Sequence, residues 1–232
     1  DRPYVKQLDA LCTVSEGCKM ALEDNFPEFR EKFHVVYNIL SAQFLRKMAE
    51  APVDFGDRYS GSRVLSIARL SVQKGLDLAL PAVASLREKG LEFRWYIIGV
   101  GPEEAALREQ ARSLGIEQDV CFLGEQANPY PFLRACDVYL QPSRFEGKSI
   151  AVDEAMVLCK PILLTDFSTA ADQVTSGENG LIVPMTPEGI AEGLEKLLTD
   201  GELRQRFHDA LEAEDYTNEN EIEKVYSLIG SE

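Results

Sequence analysis

Short apolar runs alternate with amphipathic helical stretches from residue 63 onward. The candidate strands cover 64–68, 93–99, 120–123, 138–140, 162–165 and 181–183. The candidate helices between them cover 76–89, 103–114, 131–135, 150–158, 170–175 and 188–198. Short, continuously apolar strands that are separated by helices predict a parallel sheet covered by helices on both faces. The predicted fold class is therefore α/β, with a doubly wound, Rossmann-like parallel sheet.

Ligands of such sheets bind beyond the carboxyl ends of the strands. The loops at that edge here span 69–75, 99–103, 123–131 and 141–150. We therefore expect a binding site to be assembled from these four loops.

The first sixty residues have a different pattern. A strand at 11–14, a helix that starts near Ser15 and a strand at 33–40 are followed by a polar stretch, 51–62, with Pro52, Gly56 and Gly61. A lone strand–helix–strand unit cannot bury its own faces. We therefore expect 1–38 to be the end of a truncated N-terminal domain. A connector is predicted at 39–62 and the ligand-binding domain at 63–215. The last part, 216–232, is predicted to form a C-terminal crossing helix, whose apolar face carries Ile222, Val225, Tyr226 and Ile229.

The charge and hydropathy of the chain exclude several classes of protein. With 24 Lys and Arg against 39 Asp and Glu among its 232 residues, the chain has a net charge of −15, which argues against binding to nucleic acid or an acidic membrane. No apolar run reaches the roughly 18–20 residues that span a bilayer. The opening DRPYVKQLDA lacks the apolar core of a signal peptide. We expect a cytoplasmic protein.

The five cysteines form no CxxC pair, and the two histidines, His34 and His208, lie far from them in sequence. This pattern predicts reduced, buried thiols and disfavours a zinc site or a Cys–His nucleophile pair. Metal chemistry is therefore not expected.

The stretch QPSRFEGKSI at 141–150 carries the strongest chemical signal. A strand ends in a loop that leads into a helix starting near Ser149 or Ile150, and a helix N-terminus suits a phosphate group. Glu146 lies before this helix, and Glu154 lies about four residues inside it, roughly 6 Å along the axis. The two carboxylates could flank a bound diphosphate and accept hydrogen bonds from sugar and ribose hydroxyls. Two solvated glutamates that complement the helix dipole would fit the spacing equally well.

Arg69 and Lys74 follow the first strand of the sheet and lie on the same predicted edge. An anionic ligand of a chain this acidic needs local positive charge. Arg69 offers a planar fork and Lys74 a point charge to phosphate oxygens, although both also fit plain surface residues.

Three other patterns are less informative. GVGPEE at 99–104 fails as a dinucleotide fingerprint, because Glu104 stands at the third glycine position and Pro102 with two glutamates suits an ordinary helix start. The loop EQANPY at 125–130 fits a nucleobase contact or a polar turn. The chain has no P-loop motif and no G-x-S-x-G.

The order ARLSVQKG, IIGVGPE, FLG, ACDVYLQPS, EGKSIAVDEAM and KPILLTDF…GENGLIVP resembles the C-terminal donor domain of retaining glycosyltransferases. Over about 60–215 the chain resembles glycosyltransferase family 4, also called the group 1 family. This resemblance implies that the chain is the C-terminal half of a GT-B fold. TVSEGCKMAL…FHVVYNIL resembles the end of that family's N-terminal domain. Glu146 and Glu154 reproduce the family's E-x7-E, and Arg69 and Lys74 its diphosphate-binding pair. Lys148-Ser149 departs from the Phe-Gly of many members, so the donor's identity cannot be carried over.

The resemblance implies retaining, metal-independent transfer from a UDP- or GDP-type nucleotide-sugar, with no cofactor. Arg69, Lys74 and Glu146 are then the catalytic residues, and Glu154 holds the ribose. The implied donor-binding set is completed by Gly124, Gly147, Lys148, Ser149 and Ile150.

The resemblance also implies partners. A glycan or lipid-linked acceptor would bind through the missing domain, so the chain alone would bind nucleotide-sugar but transfer sugar poorly. The full enzyme would act in surface glycan biosynthesis, in the cytoplasm or at the inner membrane face. Exposed N- and C-terminal segments would allow self-association.

Two other functions stay open. One is a nucleotide-binding module without catalysis, which would need Arg69 and Lys74 but not Glu146. The other is an enzyme of the same architecture with different chemistry. A nucleotide-sugar epimerase would need acid–base groups, yet no histidine falls on the predicted edge, and the lysine motif of a phosphorylase is not found.

Overall fold

A computed structural model describes residues 2–230 of the chain. The N-terminal part contains α1 (Arg2–Gln7), β1 (Leu11–Thr13), α2 (Glu16–Asn25), β2 (Phe33–Val35) and α3 (Ala42–Met48). The larger part contains β3 (Ser62–Ile67), α4 (Leu76–Glu88), β4 (Phe93–Ile98), α5 (Glu104–Ser113), β5 (Val120–Gly124), α6 (Tyr130–Ala135), β6 (Val138–Gln141), α7 (Ile150–Val157), β7 (Ile162–Thr165), β8 (Leu181–Val183), α8 (Pro187–Thr199), α9 (Gly201–Glu212) and α10 (Glu221–Ile229). Short 3-10 helices occupy Pro27–Lys32, Val72–Lys74 and Ala170–Asp172.

The six strands β3 to β8 form one parallel sheet in the order β5-β4-β3-β6-β7-β8. Its first strand, β3, pairs with β4 on one side and with β6 on the other. The strand order therefore reverses its direction between β3 and β6. Open parallel sheets bind ligands in the crevice at this switch point, beyond the carboxyl ends of the strands. The predicted fold class is confirmed, and the topology places the crevice between the loops after β3 and β6.

Both faces of the sheet are buried, which explains the continuously apolar strands. Neighbouring residues of a strand point to opposite faces. On β4, the fully buried Trp95 packs with α4 and α8, and the equally buried Tyr96 packs with the cluster around α6 and α7. The helices therefore cover the sheet in two layers, and the edge where the strands end stays open.

All six predicted strands are confirmed to within two residues, as are five of the six predicted helices between them. At 170–175 only a 3-10 turn, Ala170–Asp172, forms. Helix α3 lies inside the predicted connector 39–62, and α9 was not predicted. The helix predicted in 216–232 forms at Glu221–Ile229, and residues 1, 231 and 232 of the predicted domains lie outside the described residues.

The predicted strand at 33–40 is wrong beyond Val35. The backbone N–H of Tyr37 donates to Glu221 at 3.0 Å, and that of Leu40 donates to Asn218 at 2.7 Å. These amides thus bond to side chains of the C-terminal segment, so they are not available for a strand ladder. The strands β1 and β2 form a separate two-stranded parallel sheet.

The cysteines are all free, as predicted, but their burial varies. Cys136 and Cys159 are buried, and Cys12 is exposed, so the prediction of buried thiols is wrong for Cys12. Among the helices described in residues 2–230, none is both long enough and apolar enough to cross a membrane.

Candidate functional site

A cleft of about 650 Å³ opens at the carboxyl ends of β3, β4, β5 and β6. Its lining includes residues from each of the four loops that the sequence predicted for the binding edge. Arg69 and Lys74 come from the loop after β3, Val100 from the loop after β4, Glu125 from the loop after β5, and Glu146 from the loop after β6. The structure therefore brings together at one site the loops that were predicted separately.

Six of the predicted site residues line this cleft and three do not. The lining members are Arg69, Lys74, Glu146, Lys148, Ser149 and Ile150. Gly124, Gly147 and Glu154 lie outside the lining. A Cβ atom on Gly147 would approach Sγ of Cys18 to 3.2 Å, so this glycine adjoins the N-terminal segment.

Glu146 and Lys74 form a largely buried ion pair inside the cleft. The Lys74 ammonium donates to Oε1 of Glu146 at 2.7 Å, and their side chains are 20% and 7% exposed, respectively. Gln141 at 2.8 Å and Ser143 at 2.6 Å donate to the same oxygen. Among residues 2–230, no donor hydrogen-bonds to Oε2, so Glu146 keeps one oxygen for a ligand.

Sequence reasoning missed the two neutral donors to Glu146. A signal for one of them was present, because Gln141 is a polar residue at the last position of a buried strand, where polar side chains need a partner. Its side-chain oxygen accepts from the buried Tyr139 hydroxyl at 2.7 Å, and this contact orients its amide toward Glu146. No pattern in the sequence indicated Ser143.

The loops after β3 and β6 are held against each other. Arg144 forms two hydrogen bonds of 2.7 Å with the Asp77 carboxylate, and these hold the pKa of Asp77 below its ordinary value. The backbone N–H of Arg144 donates to the carbonyl of Gln73 at 2.8 Å. Gly75 has φ +62°, and a Cβ there would lie 1.9 Å from the Pro142 carbonyl oxygen. This close approach requires glycine and places Lys74 beside Glu146.

Arg69 differs from the other two cations of the cleft in its pairing. Within the described part of the chain, Arg69 takes part in no ion pair, whereas Lys74 pairs with Glu146 and Lys148 with Asp153. Three cations and two acids, Glu125 and Glu146, line the cleft. In a chain of net charge −15, the Arg69 guanidinium, which forms no ion pair within the described residues, offers the local positive charge that an anionic ligand needs.

Lys148 lines the cleft, but its ammonium is directed to Asp153 at 3.1 Å and lies 4.5 Å from the centre of the Tyr37 ring. Burial raises the pKa of Asp153, and Lys148 counteracts this effect. The amide of Gln173 donates to Asp153 at 2.7 Å, and its oxygen accepts the backbone N–H of Ser149 at 2.9 Å. Asp153 and Gln173 were missed by sequence reasoning.

The first turn of α7 offers fewer free amides than the sequence suggested. Because the Ser149 N–H is bonded to Gln173, it is not free to bind a phosphate in this state. Ile150 and Ala151, the first two residues of α7, also line the cleft. Their amides belong to the first turn, where no carbonyl of the same helix accepts them, so an anion can approach there.

Glu154 lies one turn further along α7, half-buried, where its Oε1 accepts the Tyr130 hydroxyl at 2.9 Å. Burial raises the pKa of Glu154, and the bond from Tyr130 acts in the opposite direction. Burial and the neighbouring Glu154 raise the pKa of Tyr130 to about 12, so Tyr130 remains a donor at neutral pH.

A possible metal-ligand group in residues 2–230 is His208, Asp209 and Glu212 on α9. None of the three lines the cleft, and both carboxylates are exposed. Exposed acidic groups of this kind are common without a metal, so this cluster gives no support for a metal-dependent site.

Comparisons with known proteins agree with this geometry. A family model described as "Glycosyl transferases group 1" matches residues 57–213. An uncharacterized glycosyltransferase of Haemophilus influenzae is 32% identical over 229 residues, a match that covers 97% of this chain and 62% of that protein. The N-acetylgalactosamine-N,N'-diacetylbacillosaminyl-diphospho-undecaprenol 4-alpha-N-acetylgalactosaminyltransferase of Campylobacter jejuni is 26% identical, with 86% of this chain and 53% of that protein covered.

The fold is similar to that of solved glycosyltransferases. The crystal structure of Anabaena Alr3699/HepE in complex with UDP and glucose matches with a TM-score of 0.77 at 20% identity, over 97% of this chain and 63% of that one. The chain spans between 53% and 64% of the length of the first curated relatives that it matches.

Proposed function

Because the chain belongs to the group 1 glycosyl transferases, we propose that it forms the donor-binding part of a retaining, metal-independent enzyme of glycosyltransferase family 4. The donor is a nucleoside diphosphate sugar of the UDP or GDP type. The observation that carries this proposal is the arrangement of Arg69, Lys74 and Glu146 around one cleft at the start of α7. The cleft volume, about 650 Å³, lies within the usual range of small-molecule sites.

Each of these side chains has a distinct role in the proposed reaction. Arg69 binds the diphosphate through its guanidinium fork, and no carboxylate of residues 2–230 competes for it. Lys74 has three N–H donors, so it contacts a phosphate oxygen while it stays bonded to Glu146. Glu146 uses its free oxygen to accept from a hydroxyl of the transferred sugar.

Catalysis then comes from stabilising a leaving group that gains negative charge. When the bond between the sugar and the diphosphate breaks, the negative charge on the diphosphate increases. Fixed cations therefore stabilise the transition state more than the bound donor. Removal of one such preorganised donor typically lowers the rate by about 10²- to 10³-fold. Glu154 binds the ribose in this proposal and takes no part in this step; it lies one turn further along α7, hydrogen-bonded to Tyr130.

The names of the relatives support a role in glycan biosynthesis, in which a glycan or lipid-linked acceptor receives the sugar. In this proposal the acceptor binds to a second domain, and the enzyme works in the cytoplasm or at the inner membrane face. Within the proposal, the present chain binds the donor and has little turnover by itself.

Calorimetric titration with UDP, GDP, ADP and the corresponding nucleotide-sugars tests this function. We expect one diphosphate to bind to the unaltered chain, and Arg69→Ala to weaken that binding at least tenfold, because a charge-assisted bidentate contact is lost. Glu146→Gln should remove only the additional affinity of the sugar form. Arg112→Ala, the same charge change at an exposed position on α5, is the control and should have no effect.

Three results would contradict the proposal. They are the absence of any nucleotide binding, binding that does not depend on Arg69, and turnover by this chain that requires a divalent metal. Binding that ignores both the sugar and Glu146 would instead indicate a nucleotide-binding module without catalysis.

A further inference from the structure

Tyr130 and Glu154 form a hydrogen-bonded pair next to the lining of the cleft. Pro129, the residue before Tyr130, lines the cleft. Ile150 also lines it and lies four residues before Glu154, on the same face of α7. The pair therefore lies where the loop after β5 meets α7, one helical turn from residues that a ligand would touch.

Within residues 2–230, one of the two Glu154 oxygens has a hydrogen-bond partner and the other has none. Oε1 accepts the Tyr130 hydroxyl at 2.9 Å, and no hydrogen bond to Oε2 is found within residues 2–230. Burial raises the pKa of Glu154, and the hydrogen bond from Tyr130 counteracts this effect. The contact fixes the orientation of the carboxylate and leaves Oε2 for a ligand.

Tyr130 is itself held in place by α3. Its ring packs on a buried apolar cluster formed by Leu40, Ala42, Leu45 and Val157. The side-chain amide of Asn128 donates to the carbonyl of Met48, the last residue of α3, at 2.9 Å. The Asn128 oxygen accepts the backbone N–H of Tyr130 at 3.3 Å. The segment between the N-terminal residues and the sheet thus supports the loop that carries Tyr130.

We propose that Tyr130 is a positioning residue that aims the Glu154 carboxylate at the ribose hydroxyls of a bound nucleotide, with α3 as its support. This inference rests on the proposed function. A carboxylate fixed before binding loses less conformational freedom when it accepts hydrogen bonds from a ligand. Tyr130 thereby increases affinity for the ribose without touching the nucleotide.

The test is a comparison of Tyr130→Phe with the unaltered chain, titrated with the nucleoside diphosphate that binds and with its 2′,3′-dideoxy form. The substitution keeps the ring and removes the hydroxyl. We expect affinity for the ribonucleotide to fall by up to about tenfold, because the freed Glu154 carboxylate must then be immobilised when the ligand binds. Affinity for the dideoxynucleotide, which has no hydroxyl for Glu154 to accept from, should be unchanged.

Tyr216→Phe is the matched control, because Tyr216 packs against the same cluster and its hydroxyl has no hydrogen-bond partner in the described structure. It should leave both affinities unchanged. In a Glu154→Gln background, Tyr130→Phe should cause much less than the tenfold loss, because the charged acceptor is gone.

An equal loss of affinity for the two nucleotides would overturn the inference, since Tyr130 would then only support the fold of the loop. No loss for either nucleotide would overturn it as well. If the unaltered chain bound both nucleotides equally, the ribose role of Glu154 would fail while nucleotide binding stood. If no nucleotide bound at all, the proposed function would fail together with the inference.

Discussion

Glu146 shows how a charged group can be kept in a largely buried position. One oxygen of its carboxylate accepts from Lys74, Gln141 and Ser143, and the side chain is only 7% exposed. Two of these donors are neutral, so the ion pair with Lys74 supplies the compensating charge. Breaking such a pair from one side leaves an uncompensated charge, which costs far more than the net value of the pair.

Lys74→Met should therefore lower the free energy of unfolding by about 3 kcal/mol, the lower end for one-sided loss of a buried pair, since two donors remain. Glu146→Gln should cost less, about 1 kcal/mol, because Lys74 is 20% exposed and can reach water. Urea denaturation of both variants and of the double variant measures the difference. Equal losses for the two single variants would contradict this account.

At the scale of residues, the sequence predicts which side chains line the cleft. It does not predict which of them form hydrogen bonds or ion pairs with each other. Arg69, Lys74 and Glu146 were predicted from their positions after strands, because loop positions at one sheet edge converge in space. That Lys74 bonds to Glu146, 72 residues away, depends on the relative placement of two loops, which no local pattern encodes. The bond between Ser149 and Gln173 was missed for the same reason.

The loops after β3 and β6 act as one unit, and Gly75 is one of the points where they touch. Gly75→Ala should lower the free energy of unfolding by well over 2 kcal/mol. A left-handed backbone costs a non-glycine residue about 1–2 kcal/mol, and here the added Cβ would also lie 1.9 Å from the Pro142 carbonyl oxygen. Nucleotide affinity should fall as well, because Lys74 would move away from Glu146.

Gly90→Ala is the control for this prediction. Gly90 also has a positive φ, +84°, but nothing lies within 4 Å of a Cβ built there. Gly90→Ala should lower the free energy of unfolding by about 1 kcal/mol, the cost of holding alanine in a left-handed backbone conformation. Nucleotide affinity should be unchanged. Denaturation curves and nucleotide titrations of the two variants separate the contributions. Similar losses at both glycines would show that the contact with Pro142 is relieved at no cost.

At the scale of elements, prediction succeeded where burial dictates the sequence. The strands of the central sheet are buried on both faces, so their apolar runs stand out. Helix α3 was missed because Pro52, Gly56 and Gly61 dominate the composition of 39–62, although its own residues contain neither Pro nor Gly. Beyond Val35 the chain is held by side chains of the C-terminal segment, a long-range effect that overrides the local β-propensity.

At the scale of the whole molecule, the N- and C-terminal segments meet and expose apolar side chains. On α10, Ile222, Tyr226 and Ile229 lie on one face and are 37%, 51% and 67% exposed. Tyr4 and Met20 of the N-terminal part are 73% and 57% exposed. An apolar face of this kind favours contact with another protein surface, and at high concentration a second copy of the chain is available to provide it.

We expect weak self-association that becomes stronger as salt is added. Two copies that each carry a charge of −15 repel one another, and raising the ionic strength from 0.01 M to 1 M shortens the screening length from about 30 Å to about 3 Å. Sedimentation velocity across this range should show an increasing dimer fraction. The double substitution Tyr226→Ser with Ile229→Ser should abolish the dimer, whereas Val53→Ser, at an exposed apolar position outside both terminal segments, should not. A dimer that dissociates in high salt would indicate a charged interface instead of the apolar face of α10.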